Sequence, residues 1–200
     1  MLKVTLIVIT AFIGIMLYTG NCQATSVERT PDDFINKNHK KIEKIIKSNK
    51  PIDNMRQDIR EHMDEFVDFT KFASLTVPRQ WPLMKKKKQE EFAHLLKNIV
   101  SKNYSNKFKP CKNLKVDYIG ETEYREEKAR IKTNVTTGDI TSYVEYRMHQ
   151  PTSTSEWWVY DIIIDDVSMM RNYRRQFYIM LKKGDTIDTI MKSMHDGAMK

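Results

Sequence analysis

The spacing of apolar positions changes along the chain from a helical period to alternation and back to a helical period. In the first half, apolar residues recur every three or four positions, which predicts amphipathic helices. The predicted helices cover Pro31–Asn49, a second stretch from Met55 through Leu75, and Lys85–Tyr104. The second helix has to end before Pro78, because a residue that precedes proline disfavours the helical conformation.

The second half of the chain begins with short β-rich segments separated by turn residues. Four strands are predicted: Lys112–Ile119, Ala129–Thr137, Thr141–Gln150 and Trp157–Ile164. The last strand is apolar at nearly every position, so we expect both of its faces to be covered. Thr137-Gly138-Asp139 is typical of a hairpin turn. Helical spacing returns at Ser168, Gly184 is a natural cap, and Thr186–Met194 is predicted to form a last helix.

Helices followed by an antiparallel meander and further helices indicate the α+β class. The expected architecture is a four-stranded, twisted antiparallel sheet that is packed by helices on one side and encloses an apolar cleft. This arrangement is similar to the nuclear-transport-factor-like folds.

The N-terminus has the composition of a secretory signal peptide. Lys3 is followed by an apolar run from Val4 to Tyr18, which is shorter than the roughly 20 residues that a membrane-spanning helix needs. Cleavage is expected before Thr25, so residues 1–24 are interpreted as the signal peptide and residues 25–200 as a single domain. Removal of this segment would lower the formal net charge from +8 to +7 and leave Cys111 as the last cysteine, interpreted as a buried small apolar residue.

Composition narrows the classes of protein to consider. An apolar content of 40% is enough to build a core, and two cysteines exclude a disulfide-dense or cysteine-rich zinc scaffold. The positive charge is compatible with nucleic acid, an anionic membrane or an acidic protein as partner. Lys85–Lys88 has no interleaved aromatic residues on which bases could stack, so it is interpreted as a solvated helix face and no nucleic-acid partner is expected.

Residues that could support catalysis or metal binding are sparse. The five histidines, all on segments that read as exposed, are scattered, and none forms a zinc-ligand spacing, so no metal site is predicted. Asp161, Asp165 and Asp166 form an acidic cluster at the end of an apolar strand. Asp165 and Asp166 are interpreted as carboxylates that end the strand beside the next helix start, with general acid–base catalysis by the cluster as the alternative.

Two segments resemble the MlaC, or toluene-tolerance, family of phospholipid carriers. Residues 161–177 (DIIIDDVSMMRNYRRQF) are similar to that family's strand ending in V-x-I-E-G-V-S followed by L-V-x-N-Y-R-x-Q-F. Residues 69–75 with Trp81 and Gln89, and the strand segments VEYR (144–147) and WWVYD (157–161), resemble further family patterns. The resemblance extends over residues 31–195. Val77-Pro78 and Asp166 stand where the family has glycines, which puts the local backbone geometry in doubt.

The resemblance implies a periplasmic protein that carries phospholipid between outer and inner membranes and so maintains outer-membrane lipid asymmetry. The implied partners are phospholipid, an inner-membrane ABC transporter complex and an outer-membrane lipoprotein complex; the chain is expected to be a monomer. It implies no catalysis and no cofactor other than the lipid cargo. The side chains expected to line the lipid cleft are Phe69, Phe72, Leu75, Phe92, Leu96, Val144, Tyr146, Trp157, Val159, Ile163, Met170, Tyr173 and Phe177.

Two other functions stay open at the level of the sequence. One is an exported enzyme with Asp161 or Asp165 as the base in a pocket, which a buried carboxylate of raised pKa would favour. The other is a protein-binding module with a solid core. A long apolar cleft, a small polar pocket or a filled interior would distinguish the three functions.

Overall fold

A computed structural model describes residues 30–106, 114–151 and 156–197. The predicted signal peptide and Cys111 lie outside these residues. The helices are Pro31–Ile46 (α1), Ile52–Phe66 (α2), Phe69–Thr76 (α3), Lys86–Ser105 (α4), Met169–Lys182 (α5) and Ile187–His195 (α6), with a 3-10 turn at Trp81–Leu83. The strands are Leu114–Tyr118 (β1), Glu123–Arg125 (β2), Lys128–Thr137 (β3), Ile140–His149 (β4), Trp158–Ile164 (β5) and Val167–Ser168 (β6).

The single helix predicted from Met55 through Leu75 is wrong, because the chain breaks between α2 and α3. Val67 leaves the helical conformation and forms a parallel bridge with Val159, and the Asp68 amide donates to the Val159 carbonyl at 2.8 Å. The Asp68 carboxylate then accepts from the Lys71 amide at 2.8 Å and caps α3. Pairing with the sheet and a new cap thus override a helical spacing that continues through the break.

The sheet contains six strands rather than the four predicted. Its order is β1-β3-β4-β5-β6, and β2 pairs with the other part of β3, so β1 and β2 act as one interrupted edge strand. Every pair of strands is antiparallel. The two unpredicted strands have three and two residues, which is too short to show a period of two.

Two tight turns connect neighbouring strands of the sheet, β3 to β4 and β5 to β6. The predicted turn after Thr137 is confirmed, since Gly138 has a φ of 60° and Thr137 pairs with Ile140. Asp165 and Asp166 form a second two-residue turn between β5 and β6, with φ values of 47° and 65°. Positive φ at both positions is the pattern of a type I′ turn. Asp166 therefore keeps the backbone conformation of a glycine. The prediction that Asp165 and Asp166 lie at the start of the next helix is wrong, because both belong to this turn and Ser168 caps α5.

The helices and one face of the sheet enclose the core. A main cluster joins α3, α4, α5 and α6 to the sheet, and a smaller cluster of Ile46, Met55 and Ile59 lies between α1 and α2. The Thr122 hydroxyl donates to Asp32 at 2.5 Å, which ties the start of α1 to the loop before β2. Among the described helices, none is long and apolar enough to span a membrane.

Candidate functional site

The residues predicted to line a lipid cleft are brought together in the main cluster. Twelve of the thirteen are buried and Leu75 is partly buried against the cluster. Ile163 is the exception in position: it pairs with Glu145, whereas Tyr146 pairs with Ile131 and Ile162. Because neighbouring residues on a strand point to opposite faces, Ile163 lies on the face opposite to Tyr146. The main cluster contains Val159 but not Ile163, although both are buried.

A row of aromatic rings forms the helical side of this region. Trp81 contacts Phe92, and Phe92 contacts Phe177, with ring centroids 6.4 and 5.5 Å apart. The row continues through Tyr173 to Phe72 and Phe69 at centroid distances of 6.2, 6.3 and 6.2 Å. Three of these contacts are edge-to-face and two are tilted, and such contacts add to the hydrophobic contribution of the rings. They hold α3, α4 and α5 together as one apolar layer.

A small cavity lies beside Phe69 and Phe72, at one end of this row of rings. Its volume is about 10 Å³, and it is lined by Met63, Val67, Phe69, Phe72, Val100, Asp161, Ile162 and Met169. A cavity of this size holds about one water molecule, whereas small-molecule sites are on the order of 300–1,000 Å³. This cavity is therefore too small for an acyl chain, and of the thirteen predicted lining residues it borders only Phe69 and Phe72.

Asp161 borders this cavity and holds the start of α5. Its carboxylate accepts from the Ser168 hydroxyl at 2.7 Å and from the Met170 amide at 3.0 Å, and Arg147 Nη1 lies 3.7 Å away. Ser168 Oγ accepts in turn from the Arg171 amide and is the N-cap of α5. Asp161, rather than Asp165 or Asp166, is thus the carboxylate at the helix start.

Burial raises the pKa of Asp161, and the hydrogen bonds from Ser168 and Met170 partly oppose that rise. A buried carboxyl group of raised pKa is a feature that the enzyme alternative requires. The adjoining cavity leaves no room for a substrate larger than water, and both carboxylate oxygens already accept hydrogen bonds. The geometry assigns Asp161 a structural role.

A polar pair lies between α1 and the sheet. His39 Nε2 and the Tyr146 hydroxyl form a hydrogen bond of 2.8 Å, and His39 Nδ1 is buried without a hydrogen-bond partner among the described residues. Burial lowers the pKa of His39 to about 4 and raises that of Tyr146. At neutral pH this histidine is therefore uncharged in its contact with Tyr146.

The prediction that the histidines lie on exposed segments is wrong for three of the five. His62 is 3% exposed, His39 is largely covered by the sheet, and His149 is partly buried and hydrogen-bonded to Asp68 at 2.9 Å. Sequence spacing did not identify them because the burial of each depends on contacts with residues distant in the chain or on other faces of the helices. No group of three or more potential metal ligands occurs within residues 30–106, 114–151 and 156–197.

An open groove of about 670 Å³ lies outside the core, between the 3-10 turn and the starts of α4 and α6. Its walls carry both charges: Lys88 Nζ lies 2.6 Å from Asp188 Oδ1. None of the residues predicted to contact lipid lines this groove. Its lining is Gln80, Leu83, Met84, Lys85, Lys87, Lys88, Glu91, Ile187 and Asp188.

Comparison with known proteins agrees with this fold. The family model described as MlaC protein matches residues 36–196. A solved structure of a phospholipid-binding protein from Ralstonia solanacearum, in complex with a phospholipid, is similar with a TM-score of 0.73. The two chains are 15% identical, and the alignment covers 86% of this chain and 96% of the other. No curated protein matches the chain.

Proposed function

Since the chain belongs to the MlaC family, we propose that it binds phospholipid and carries it through the periplasm between the outer and inner membranes. The observation that carries this proposal is the extent of the family match, residues 36–196. That range contains the sheet, all six helices apart from the first turn of α1, and every predicted lining residue. The Ralstonia solanacearum protein, which shares the fold, binds a phospholipid.

Lipid transfer through water needs a carrier for an energetic reason. A two-tailed phospholipid removes roughly 30 methylene groups from water, each at about 0.8 kcal/mol, so its release into water costs on the order of 24 kcal/mol. A protein that covers the tails removes most of this cost without making or breaking a bond. The proposed activity is therefore binding and transport rather than catalysis, with the lipid as cargo and no further cofactor.

The proposed binding site lies between the sheet and the aromatic layer of α3, α4 and α5. The lining proposed is Phe69, Phe72, Leu75, Phe92, Leu96, Val144, Tyr146, Trp157, Val159, Ile163, Met170, Tyr173 and Phe177. Ile163 is the weakest member, because it lies across the sheet from Tyr146. Because the cavity beside Phe69 and Phe72 holds only about one water molecule, we propose that the acyl chains enter as the sheet and the helices separate, with aromatic side chains turning aside to become the walls.

The oligomeric state, the partner complexes and the role in the outer membrane are proposed from the family alone. We propose a monomer that receives and delivers lipid at an outer-membrane lipoprotein complex and an inner-membrane ABC transporter, and so maintains outer-membrane lipid asymmetry. Export would depend on residues 1–24 acting as a signal peptide. An intact mass of the periplasmic protein that begins at Thr25 is the expected result; a retained N-terminus would contradict it.

The central test is the lipid content of the protein itself. Native mass spectrometry of protein isolated from the periplasm is expected to show a bound phospholipid, which organic extraction then identifies. Protein that is consistently lipid-free, and that also takes up no lipid from phosphatidylethanolamine vesicles, would overturn the proposed function.

The position of the site is tested by a bulky substitution. Val144 is 7% exposed beneath the helices, whereas Ile140 on the same strand is 69% exposed. Val144→Trp is expected to lower lipid occupancy severalfold, and Ile140→Trp is the matched control that leaves it unchanged. Should Val144→Trp fail to fold, wild-type protein loaded with a phospholipid carrying a diazirine on one acyl chain serves instead. Cross-links are expected on β4 and α5, and cross-links confined to α6 would contradict this site.

A further inference from the structure

The outward face of α5 combines exposed basic residues with exposed apolar and aromatic side chains. Residues 167–184 contain five basic residues and no acidic residue. All five cations are exposed, together with Tyr178 at 58% and Ile179 at 45%. This surface, the α5 stripe, consists of Arg171, Arg174, Arg175, Tyr178, Ile179, Lys182 and Lys183.

Helical geometry aligns the centre of the α5 stripe. Arg171, Arg175, Tyr178 and Lys182 stand at intervals of four, three and four residues, which places them on one side of the helix over roughly 16 Å. Tyr173 and Phe177, on the other side, are buried in the aromatic layer. The helix therefore presents the proposed lipid-lining side chains inward and a cationic row outward.

The cations of the α5 stripe lie outside the close ion pairs of the described chain, although the charge of Arg171 acts on the Asp161 carboxylate. None forms a salt bridge or a side-chain hydrogen bond within residues 30–106, 114–151 and 156–197. In the open groove, by contrast, Lys88 is paired with Asp188. An unneutralised row of cations attracts an anionic partner over roughly 10 Å, the Debye length at 0.1 M salt.

We propose that the α5 stripe docks the protein on a phospholipid bilayer that contains anionic lipid. Cations close to such a surface bind its head groups, and a tyrosine among them is suited to the boundary between head groups and acyl chains. Neither cavity is lined by a residue of the stripe. A folded protein partner normally inserts anchoring side chains into pockets, so a cationic surface that lines neither of these cavities favours a bilayer instead. This docking is separate from cargo binding and goes beyond the carrier function.

The test measures partition of the full-length mature protein into vesicles. Vesicles of phosphatidylcholine with 30% phosphatidylglycerol are compared with pure phosphatidylcholine by sedimentation at roughly 50 mM and 500 mM salt, where screening differs strongly. Binding is expected for the anionic vesicles at low salt and is expected to disappear at high salt. Each cation near the surface contributes about fivefold, so Arg175→Gln/Lys182→Gln is expected to bind about 25-fold more weakly.

The matched control is Lys40→Gln/Lys44→Gln, which removes the same charge from two exposed lysines on α1. Equal losses in both double variants would overturn the α5 stripe as the docking surface, since net charge alone would then explain binding. Absence of wild-type binding to anionic vesicles would overturn bilayer docking itself. The lipid content of the same preparations is measured by mass spectrometry, so failure of docking is distinguished from failure of cargo binding.

Discussion

At the scale of single residues, Asp161 and Ser168 connect the last long strand to the helix that follows. The Ser168 hydroxyl donates to the buried carboxylate at 2.7 Å and accepts from the Arg171 amide at 3.0 Å, so one side chain serves both the strand and the helix start. The connection fixes where α5 begins and, with it, the directions in which Tyr173 and Phe177 point.

Ser168→Ala is expected to lower the free energy of unfolding by about 2–3 kcal/mol, because it removes a helix cap and a hydrogen bond to a buried carboxylate. Urea denaturation followed by circular dichroism measures this change. Ser48→Ala is the control: its hydroxyl donates to the Ile45 carbonyl at an exposed helix end, and a change within about 0.5 kcal/mol is expected. Equal effects of the two substitutions would contradict the role given to Ser168.

His39 predicts a dependence of stability on pH. Burial lowers its pKa from 6.5 to about 4, so as the pH falls below 6.5 the unfolded chain takes up a proton that the native protein does not. The stability contributed by neutral His39 is therefore complete above pH 6.5 and is lost between pH 6.5 and pH 4. The loss between pH 7 and pH 5 is expected to be about 2 kcal/mol.

The measurement compares wild type with His39→Gln at both pH values by urea denaturation. The variant is expected to lack this loss, while His94→Gln, at an exposed position on α4, is expected to retain it. A pH dependence that is identical in wild type and His39→Gln would show that His39 titrates normally in the native protein.

At the scale of elements, the short β5–β6 hairpin sets the geometry between sheet and helix. Its turn places Asp165 and Asp166 at positive φ, where a side chain is unfavourable. Asp165 is compensated, because its carboxylate accepts from the Tyr143 amide at 2.9 Å. No such bond exists for the Asp166 side chain within the described residues.

Asp166→Gly is therefore expected to raise the free energy of unfolding by about 0.5–1 kcal/mol, because Asp-Gly suits a type I′ turn. Thermal unfolding monitored by circular dichroism measures the change. Asp165→Gly is the contrasting variant and is expected to lower stability by about 1 kcal/mol through loss of its hydrogen bond to Tyr143. A destabilised Asp166→Gly protein would mean that its carboxylate has a stabilising partner.

The elements also show which parts of the fold the sequence could predict. Long helices and ten-residue strands repeat their apolar spacing often enough to be identified, and α4, β3 and β4 agree with prediction to within one residue at each end. The break at Val67–Asp68 could not be predicted, because it depends on pairing with Val159, which is distant in the chain. Likewise, the covering of His39 by Tyr146 depends on a tertiary contact and leaves no local signal.

At the scale of the whole molecule, the sequence predicted which apolar residues gather in one region but not how much space they leave. Twelve of the thirteen predicted lining residues are buried, while the cavity that borders two of them, Phe69 and Phe72, measures about 10 Å³. Composition and spacing determine which side chains face inward; whether they touch or surround a ligand depends on the distance between sheet and helices. For a lipid carrier, that distance is the variable on which loading would depend.

The bridge between Val67 and Val159 has a further consequence, for association between copies of the chain. Together with β6, which pairs at Ile163 and Ile164, it occupies the outer edge of β5. The opposite edge is formed by β1 and β2, which are short, interrupted and charged at Lys115 and Asp117. Exposed, long and regular edges are what allow sheets to join and aggregate. With one edge occupied and the other discontinuous, the described sheet offers no long, regular strand with which a second copy of the chain could pair.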